Sequence, residues 1–205
     1  MRQDYGEYFN VAHIEPESHI YGPGKRYVIW LQGCSLACKG CWNQQMWSFE
    51  PEQLIHREQL LDEILQYRDI DGITLLGGEP LQQAQNARWL LSSFRRSSGC
   101  STVLYTGFTY SELVKRNDWA LLREHCDLMI TGRYSYSLRN TNLRWRGSSN
   151  QELIYLAGGR IPLEPPEDAN EVEVIIDENA AIRVLGYPDS GFFGTLIDLE
   201  SLGFV

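Results

Sequence analysis

The stretch RYVIWLQGCSLACKGCWN, residues 26–43, decides how the chain is read. Its first half is short, apolar and rich in β-branched and aromatic residues, the composition of a strand buried on both faces. Gly33 ends that strand, and three cysteines follow within eight residues at C-x3-C-x2-C spacing. The pattern of a buried strand stopping at a glycine recurs in GITLLGGEP (72–80), STVLYTGF (101–108) and CDLMITGRY (126–134). Between these strands, Leu60, Leu61, Ile64 and Leu65 repeat at helical spacing, and Ala84, Ala87, Leu90, Leu91 and Phe94 mark a second helix face. Thr109 and Glu112 have the spacing of a capping box ahead of Leu113 and Val114, with a restart near Leu121 and Leu122. Strand alternating with helix four times predicts a parallel sheet with right-handed crossovers. Four such units are fewer than a closed eightfold barrel needs, so the expected fold is an incomplete, TIM-like α/β barrel. The segments QGC, GGEP, YTGF and TGRY then share the C-terminal edge of the sheet, where ligands sit in parallel α/β folds.

The bulk composition narrows the function. A chain of 205 residues, 43% hydrophobic and 22% charged, suits one domain with a sizeable core and a small appendage. The longest apolar run is about five residues, far short of a transmembrane helix. The start, MRQDYGEYFN, lacks an apolar signal-peptide core, so a cytoplasmic location is expected. A net charge of −9 argues against broad binding to nucleic acid or an anionic membrane. Five cysteines, three of them clustered, do not make a disulfide framework and point to metal or redox chemistry.

After Tyr134 the pattern changes. Residues 133–151 hold Arg133, Arg139, Arg144 and Arg146 and no acid, a basic loop beside the ligand edge. It reads either as a solvated connection or as a docking surface or cover facing an acidic partner segment or electron donor. PLEPPED (162–168) reads as a linker, and VEVIIDENAAIRVLGYP (172–188) as a β-hairpin joined at DENA. The expected division is a core over 1–157 and an extension over 158–205 packed on it.

Three thiolates at this spacing can converge on one site. Structural zinc takes four protein ligands, and the nearest candidate, His56, lies fifteen residues past Cys41. A ferredoxin cluster takes four cysteines, and the spare thiols, Cys100 and Cys126, fall on separate predicted strands. Gly33 and Gly40 make a loop, which argues against disulfide use or inert core thiols. What remains is a [4Fe–4S] cluster on Cys34, Cys38 and Cys41 with one iron free of protein ligands, the open position a catalytic metal keeps. Paired glycines in GGEP permit close backbone approach to a ligand; the plainer alternative is a βα turn with an exposed acid.

The cysteine loop after the first strand, with Gly77-Gly78-Glu79-Pro80 after the second, resembles the radical S-adenosylmethionine (SAM) enzymes. The resemblance implies that the open iron chelates the amino and carboxylate groups of SAM. A reduced cluster then cleaves SAM to methionine and a 5′-deoxyadenosyl radical, which abstracts hydrogen from a substrate. It implies Cys34, Cys38 and Cys41 as cluster ligands, and Gly77, Gly78 and Glu79 as SAM contacts, Glu79 accepting from the ammonium group. By the same resemblance Tyr105 and Thr106 contact the ribose or carboxylate, and Arg133 faces an anionic group such as that carboxylate. Asp127 also matches a family position, with a solvent-facing strand residue as the alternative. No catalytic side chain is implied beyond the cluster and SAM. Many members carry an aromatic residue immediately before the third cysteine, near the adenine; here Gly40 stands there and Trp42 follows the cysteine.

That pattern, with GPGKR (22–26), Trp47, YTGF, DLMITGRY and WRGSSNQ (145–151), is similar to the activating component of anaerobic ribonucleotide reductase. The similarity spans roughly residues 8–155. It implies a glycyl radical installed on a partner enzyme, with a flavodoxin- or ferredoxin-type reductant. The residues beyond GSSNQ exceed that pattern and keep a peptide or small metabolite open as substrate. A non-catalytic iron–sulfur electron carrier is the third reading, and it has no use for GGEP beside an open iron. Replacing Cys34, Cys38 or Cys41 with alanine is expected to abolish cluster binding, measured as iron and sulfide content after anaerobic reconstitution. Cys100→Ala should leave both unchanged, and a cluster retained in Cys38→Ala would overturn the ligand set.

Overall fold

A computed structural model describes residues 4–156, 159–162, 171–176, 178, 179, 181–188 and 192. The predicted strands form as β2 (Arg26–Leu31), β4 (Gly72–Gly77), β5 (Ser101–Thr106) and β6 (Leu128–Thr131). They lie side by side and parallel at the centre of a mixed sheet, so the chain has an α/β fold. Both faces of this central block are covered, as a parallel sheet requires. On one face α1 (Arg57–Ile64) and α2 (Ala84–Ser97) bury Leu60, Ile64, Leu90, Leu91 and Phe94 against Tyr27, Ile29, Leu31, Ile73 and Leu75. On the other, Val28, Trp30, Leu76, Val103, Leu128 and Ile130 pack with Tyr21, Trp145 and Leu185, which come from outside the central strands. The capping box is present: Thr109 accepts from the Glu112 N–H and Glu112 reaches back to the Thr109 N–H, opening α3 (Tyr110–Leu113). The helical restart is α4 (Trp119–His125).

Three further strands flank the block, each paired antiparallel with its neighbour: β1 (Tyr8–Ser18) and, outside it, β3 (Gln53–His56) on one side, β7 (Glu152–Tyr155) on the other. The sheet order is β3-β1-β2-β4-β5-β6-β7, so the sheet is not purely parallel as the βα alternation suggested. β1 escaped the pattern because its buried positions include Asn10 and Glu15, which interrupt an apolar alternation. Asn10 is satisfied internally: its backbone N–H donates to Gln83 Oε1 at 2.9 Å and its side chain donates to the Glu50 carbonyl at 3.0 Å. β8 (Val172–Ile176) and β9 (Ile182–Gly186) pair antiparallel as a separate two-stranded sheet. The stretch PLEPPED after Pro162, Asp177 and Ala180 of DENA, and most of the tail lie outside the described residues. Among the described residues, no helix is long and apolar enough to cross a membrane.

The end of the sheet remote from the cysteine loop is held by two buried charges. Arg26, fully buried, donates from all five guanidinium N–H positions to neutral oxygens: Thr74 Oγ1, Ser101 Oγ, and the carbonyls of Pro23, Ile73 and Ser101, at 2.6–3.0 Å. Burial lowers its pKa to about 10, so it stays charged at neutral pH. It ties together the starts of β2, β4 and β5. Asp127 sits just before β6 at the same end, 1% exposed, so it is neither a solvent-facing residue nor a ligand-edge residue. It pairs with Arg95 and accepts the backbone N–H groups of Thr102 and Arg160, both at 2.8 Å. Burial opposes its ionisation, and these partners outweigh the burial, so its pKa lies below the ordinary carboxylate value.

Asp127→Asn should therefore lower the unfolding free energy at neutral pH by about 3 kcal/mol, because it leaves Arg95 uncompensated beside a buried site. A carboxyl whose folded pKa is depressed stabilises above its unfolded value, near ~3.9, and loses that contribution as pH falls through the folded one. Denaturant titrations of the two proteins should thus differ at neutral pH and converge in acid. A difference under about 0.5 kcal/mol at neutral pH would contradict this role.

Candidate functional site

Where β2 ends, the chain turns through Gly33 (φ 100°), and the cysteine loop begins. The loop is pinned by backbone bonds, Gly33 N–H to the Met46 carbonyl at 2.9 Å, Cys34 N–H to Trp47 at 3.1 Å and Cys41 N–H to Cys38 at 3.0 Å. Gly40 has φ 72°, and a Cβ there would stand 2.7 Å from the Tyr136 ring. A side chain at the position before the third cysteine would be strained by this backbone and would have to displace the exposed Tyr136 ring.

The glycine pair of GGEP makes its close approach to this loop. Gly77 has φ 115°, and a Cβ on it would lie 2.5 Å from Leu31 N. One on Gly78 would lie 2.6 Å from the Gly33 carbonyl oxygen and 2.8 Å from that of Met46. In the space so freed, Gly78 N–H donates to Leu31 O at 2.7 Å and Glu79 N–H to Gly33 O at 2.9 Å.

Glu79 is fully buried rather than exposed. Its Oε1 accepts from Leu81 N–H and from the Thr106 hydroxyl, both at 2.9 Å, and Oε2 accepts from Gly107 N–H at 2.7 Å. Burial pushes its pKa up to about 6 against the pull of these donors. A carboxylate oxygen accepts two hydrogen bonds, which leaves one acceptor position on Oε2. The Thr106 hydroxyl is thereby committed to orienting Glu79.

These residues line one cleft that is open to solvent. Cys34, Cys38, Cys41, Trp42, Gly77, Gly78, Glu79, Tyr105 and Thr106 all contribute to its wall. Arg133 does not. It makes a two-pronged ion pair with Glu112 at 2.7 and 3.0 Å, which holds the Glu112 carboxyl down at about 2. The arginine in the wall is Arg139, 5.5 Å from the centre of the Trp42 ring. The basic loop is also less free than its sequence suggests, since Arg144 pairs with Glu171 at 3.0 Å.

The sequence reading missed Tyr134, Arg139, Gln151 and Tyr187 as wall residues. Tyr134 and Gln151 lie within motifs that were singled out, TGRY and WRGSSNQ, so a signal existed. Gln151 braces its own turn, accepting from Gly147 N–H at 2.8 Å and donating to the Gly132 carbonyl at 3.1 Å. Tyr187 has no such signal, because it follows β9, far along the chain. Burial raises its phenol to about 12, with Cys41 and Tyr134 adding to the shift.

The cleft suits a soft-metal cluster and a polar cofactor. All three loop cysteines are free thiols, and burial raises the pKa of Cys34 and Cys38. Among the described residues, no three His, Cys, Asp or Glu side chains are gathered as around a metal ion. The thiols share the cleft as separate groups. Three buried polar atoms in the wall, Tyr105 OH, Tyr134 OH and Trp47 Nε1, have no hydrogen-bond partner among the described residues. Each such group costs about 1–3 kcal/mol while unpaired, so the wall favours a ligand with complementary polar groups.

Comparisons with known proteins give the chain its family. The chain belongs to the 4Fe–4S single cluster domain family, whose model matches residues 20–154. Within that class it is a member of the anaerobic ribonucleoside-triphosphate reductase-activating proteins. It is 33% identical to the protein of that name from Haemophilus influenzae over 150 residues, which is 69% of this chain and 95% of the relative. Its counterpart from Pasteurella multocida is 31% identical over 153 residues, 71% of this chain and 96% of the relative. Among solved structures, the crystal structure of QueE from Escherichia coli aligns with TM-score 0.35 at 20% identity, covering 50% of this chain and 53% of that one, a partial overlap too weak to define the fold.

Gly78→Ala sets a methyl group against two backbone carbonyls, where neither neighbour is a flexible side-chain end. It should cost about 1–3 kcal/mol of stability and lower the iron bound on reconstitution. Gly99→Ala, with nothing within 4 Å of the added Cβ, is the control that should do neither. Full iron content in Gly78→Ala would contradict the coupling of the glycine pair to the cysteine loop.

Proposed function

We propose that this protein is a radical SAM activase that installs a glycyl radical on a partner enzyme of the anaerobic ribonucleotide reductase kind. The observation that carries the reading is the meeting of the cysteine loop with the GGEP strand end in one cleft, backbone against backbone. Cys34, Cys38 and Cys41 would hold a [4Fe–4S] cluster through three of its irons, leaving the fourth for SAM. When bound, the reduced cluster and SAM supply a 5′-deoxyadenosyl radical, and hydrogen abstraction from the substrate is their chemistry.

The chain's own task is position. Glu79, fixed by Leu81, Thr106 and Gly107, offers its remaining Oε2 acceptor position to the SAM ammonium group. The unpaired Tyr105 and Tyr134 hydroxyls and the Trp47 indole N–H are available to ribose or carboxylate oxygens. Trp42, with Arg139 over its ring, flanks the third cysteine. Leu36, Leu76 and Ile130 give the cleft its apolar lining. Arg133, held by Glu112, serves as a charge beside the cleft and not as a contact within it.

The central parallel strands are taken as an incomplete barrel, with a core over 1–157 and an appended hairpin segment over 158–205. The proposal includes a flavodoxin- or ferredoxin-type reductant and a cytoplasmic location, in keeping with five free cysteines. A peptide substrate is the second reading, favoured by the segment around Tyr187, which falls beyond the family match.

Anaerobically reconstituted protein, reduced with dithionite and given SAM, should release 5′-deoxyadenosine. With the partner reductase present, electron paramagnetic resonance should show a glycyl radical on it. No 5′-deoxyadenosine from a fully loaded sample contradicts the radical SAM assignment. Release without any glycyl radical contradicts the activase role and favours the peptide substrate.

A further inference from the structure

The relatives are matched over 95–96% of their own length, yet that match accounts for only 69–71% of this chain. The family model stops at residue 154. The strand pair β8–β9 and the turn after it therefore have no place in the shared pattern, but they contribute directly to the cleft wall through Tyr187.

The segment is fastened to the core at several independent points. Glu173 accepts from the Ser18 hydroxyl and the His19 N–H, each at 2.6 Å, and Arg183 pairs with Glu15 at 3.3 Å. Gly186 N–H donates to the Tyr21 hydroxyl at 2.9 Å, and Arg139, itself in the cleft wall, donates to the Pro188 carbonyl at 3.0 Å. Leu185 is buried among Val28, Trp30 and Ile130 on the inner face of the sheet. Gly186 then bends the chain with φ 103°, a conformation that favours glycine. A Cβ there would stand 2.7 Å from the Glu171 carbonyl oxygen and 3.1 Å from Ile20 Cδ1. The residue after that bend is Tyr187, whose ring lies beside Tyr134: a Cβ on Gly147 would be 3.4 Å from Tyr187 Cε1 and 3.2 Å from Tyr134 Cδ2.

We propose that β8–β9 forms a built-in wall of the cofactor cleft, and that Tyr187, aimed by Gly186, is a specificity-determining residue that narrows access beside the cysteine loop. The wall admits a slender polypeptide segment, such as one presenting a glycine, and turns away bulkier groups. The inference rests on the activase reading for the identity of the substrate, but the wall itself is testable without cofactors.

The test uses the full-length apo chain. Alkylation of Cys41 is followed by peptide mass spectrometry with a small reagent, iodoacetamide, and a bulky one, a polyethylene glycol maleimide. In the wild type, the bulky reagent should lag the small one more at Cys41 than at Cys100. Tyr187→Ala should reduce that discrimination about fivefold or more, and Tyr187→Phe, which keeps the ring, should preserve it. Gly186→Ala, which misdirects the ring, should resemble Tyr187→Ala. Cys126, 2% exposed, should stay unlabelled throughout and so reports whether any variant has unfolded.

A second readout is the KM of the reconstituted enzyme for a short glycine-containing peptide and for the same peptide with branched flanking residues. Tyr187→Ala should lower KM for the branched peptide by a larger factor than KM for the unbranched one, and Tyr187→Phe should leave that ratio at its wild-type value. Unchanged size discrimination at Cys41 in Tyr187→Ala, with Cys126 protected, overturns the wall. If the labelling changes as expected but neither peptide reacts, the wall stands and the substrate reading fails.

Discussion

The site depends on a contact between two stretches of backbone. At the end of β4, Gly77 and Gly78 lie so close to the end of β2 and the first turn of the cysteine loop that no side chain fits between them. The glycines carry the hydrogen bonds that this closeness permits, Gly78 to Leu31 and Glu79 to Gly33. From there the constraint passes outward. Glu79, once its backbone is fixed, reaches Thr106 and Gly107 at the end of β5, so three neighbouring strand ends are linked through one buried residue, its backbone bonded to Gly33 and its carboxylate to β5. A cluster on the loop and a cofactor against the strand ends would then be held by rigid elements, which is what radical chemistry would require of its scaffold.

The two ends of the sheet divide stability and function. The far end is saturated with partners: Arg26 uses every donor it has, and Asp127 is satisfied by a guanidinium and backbone N–H groups. The near end carries the irregular features. Ala37 in the cysteine loop and Trp145 in the basic loop adopt positive φ without being glycine, and Tyr105, Tyr134 and Trp47 leave buried polar atoms unpaired. Three of these polar atoms lie in the wall where a ligand is to be bound, and the satisfied base of the sheet makes them tolerable.

The four central strands were legible because each is a continuous apolar run closed by glycine, and burial on both faces leaves no other use for such a run. Their neighbours were not. β1 buries Asn10 and Glu15, and its polarity makes sense only once Gln83 and the Glu50 carbonyl are seen beside Asn10. β3 and β7 are four residues each and exist by pairing rather than by pattern. The site was legible to the same extent: cysteines, glycines and Glu79 are marked by spacing, and they share one cleft. Spacing did not tell that the glycines approach protein backbone, that Arg133 is claimed by Glu112, or that a tyrosine from beyond the family pattern closes the wall. Each of these is a long-range pairing, and single-sequence periodicity carries only local information.

In the proposed function the three-cysteine loop leaves one iron for SAM, with Glu79 and the strand ends holding the cofactor against it. Electron–nuclear double resonance on the reduced, reconstituted protein tests this directly, using SAM labelled with 15N in its amino group and 13C in its carboxylate. The account predicts hyperfine coupling of both labels to the cluster. A fully loaded cluster that binds SAM and shows coupling to neither label would contradict it.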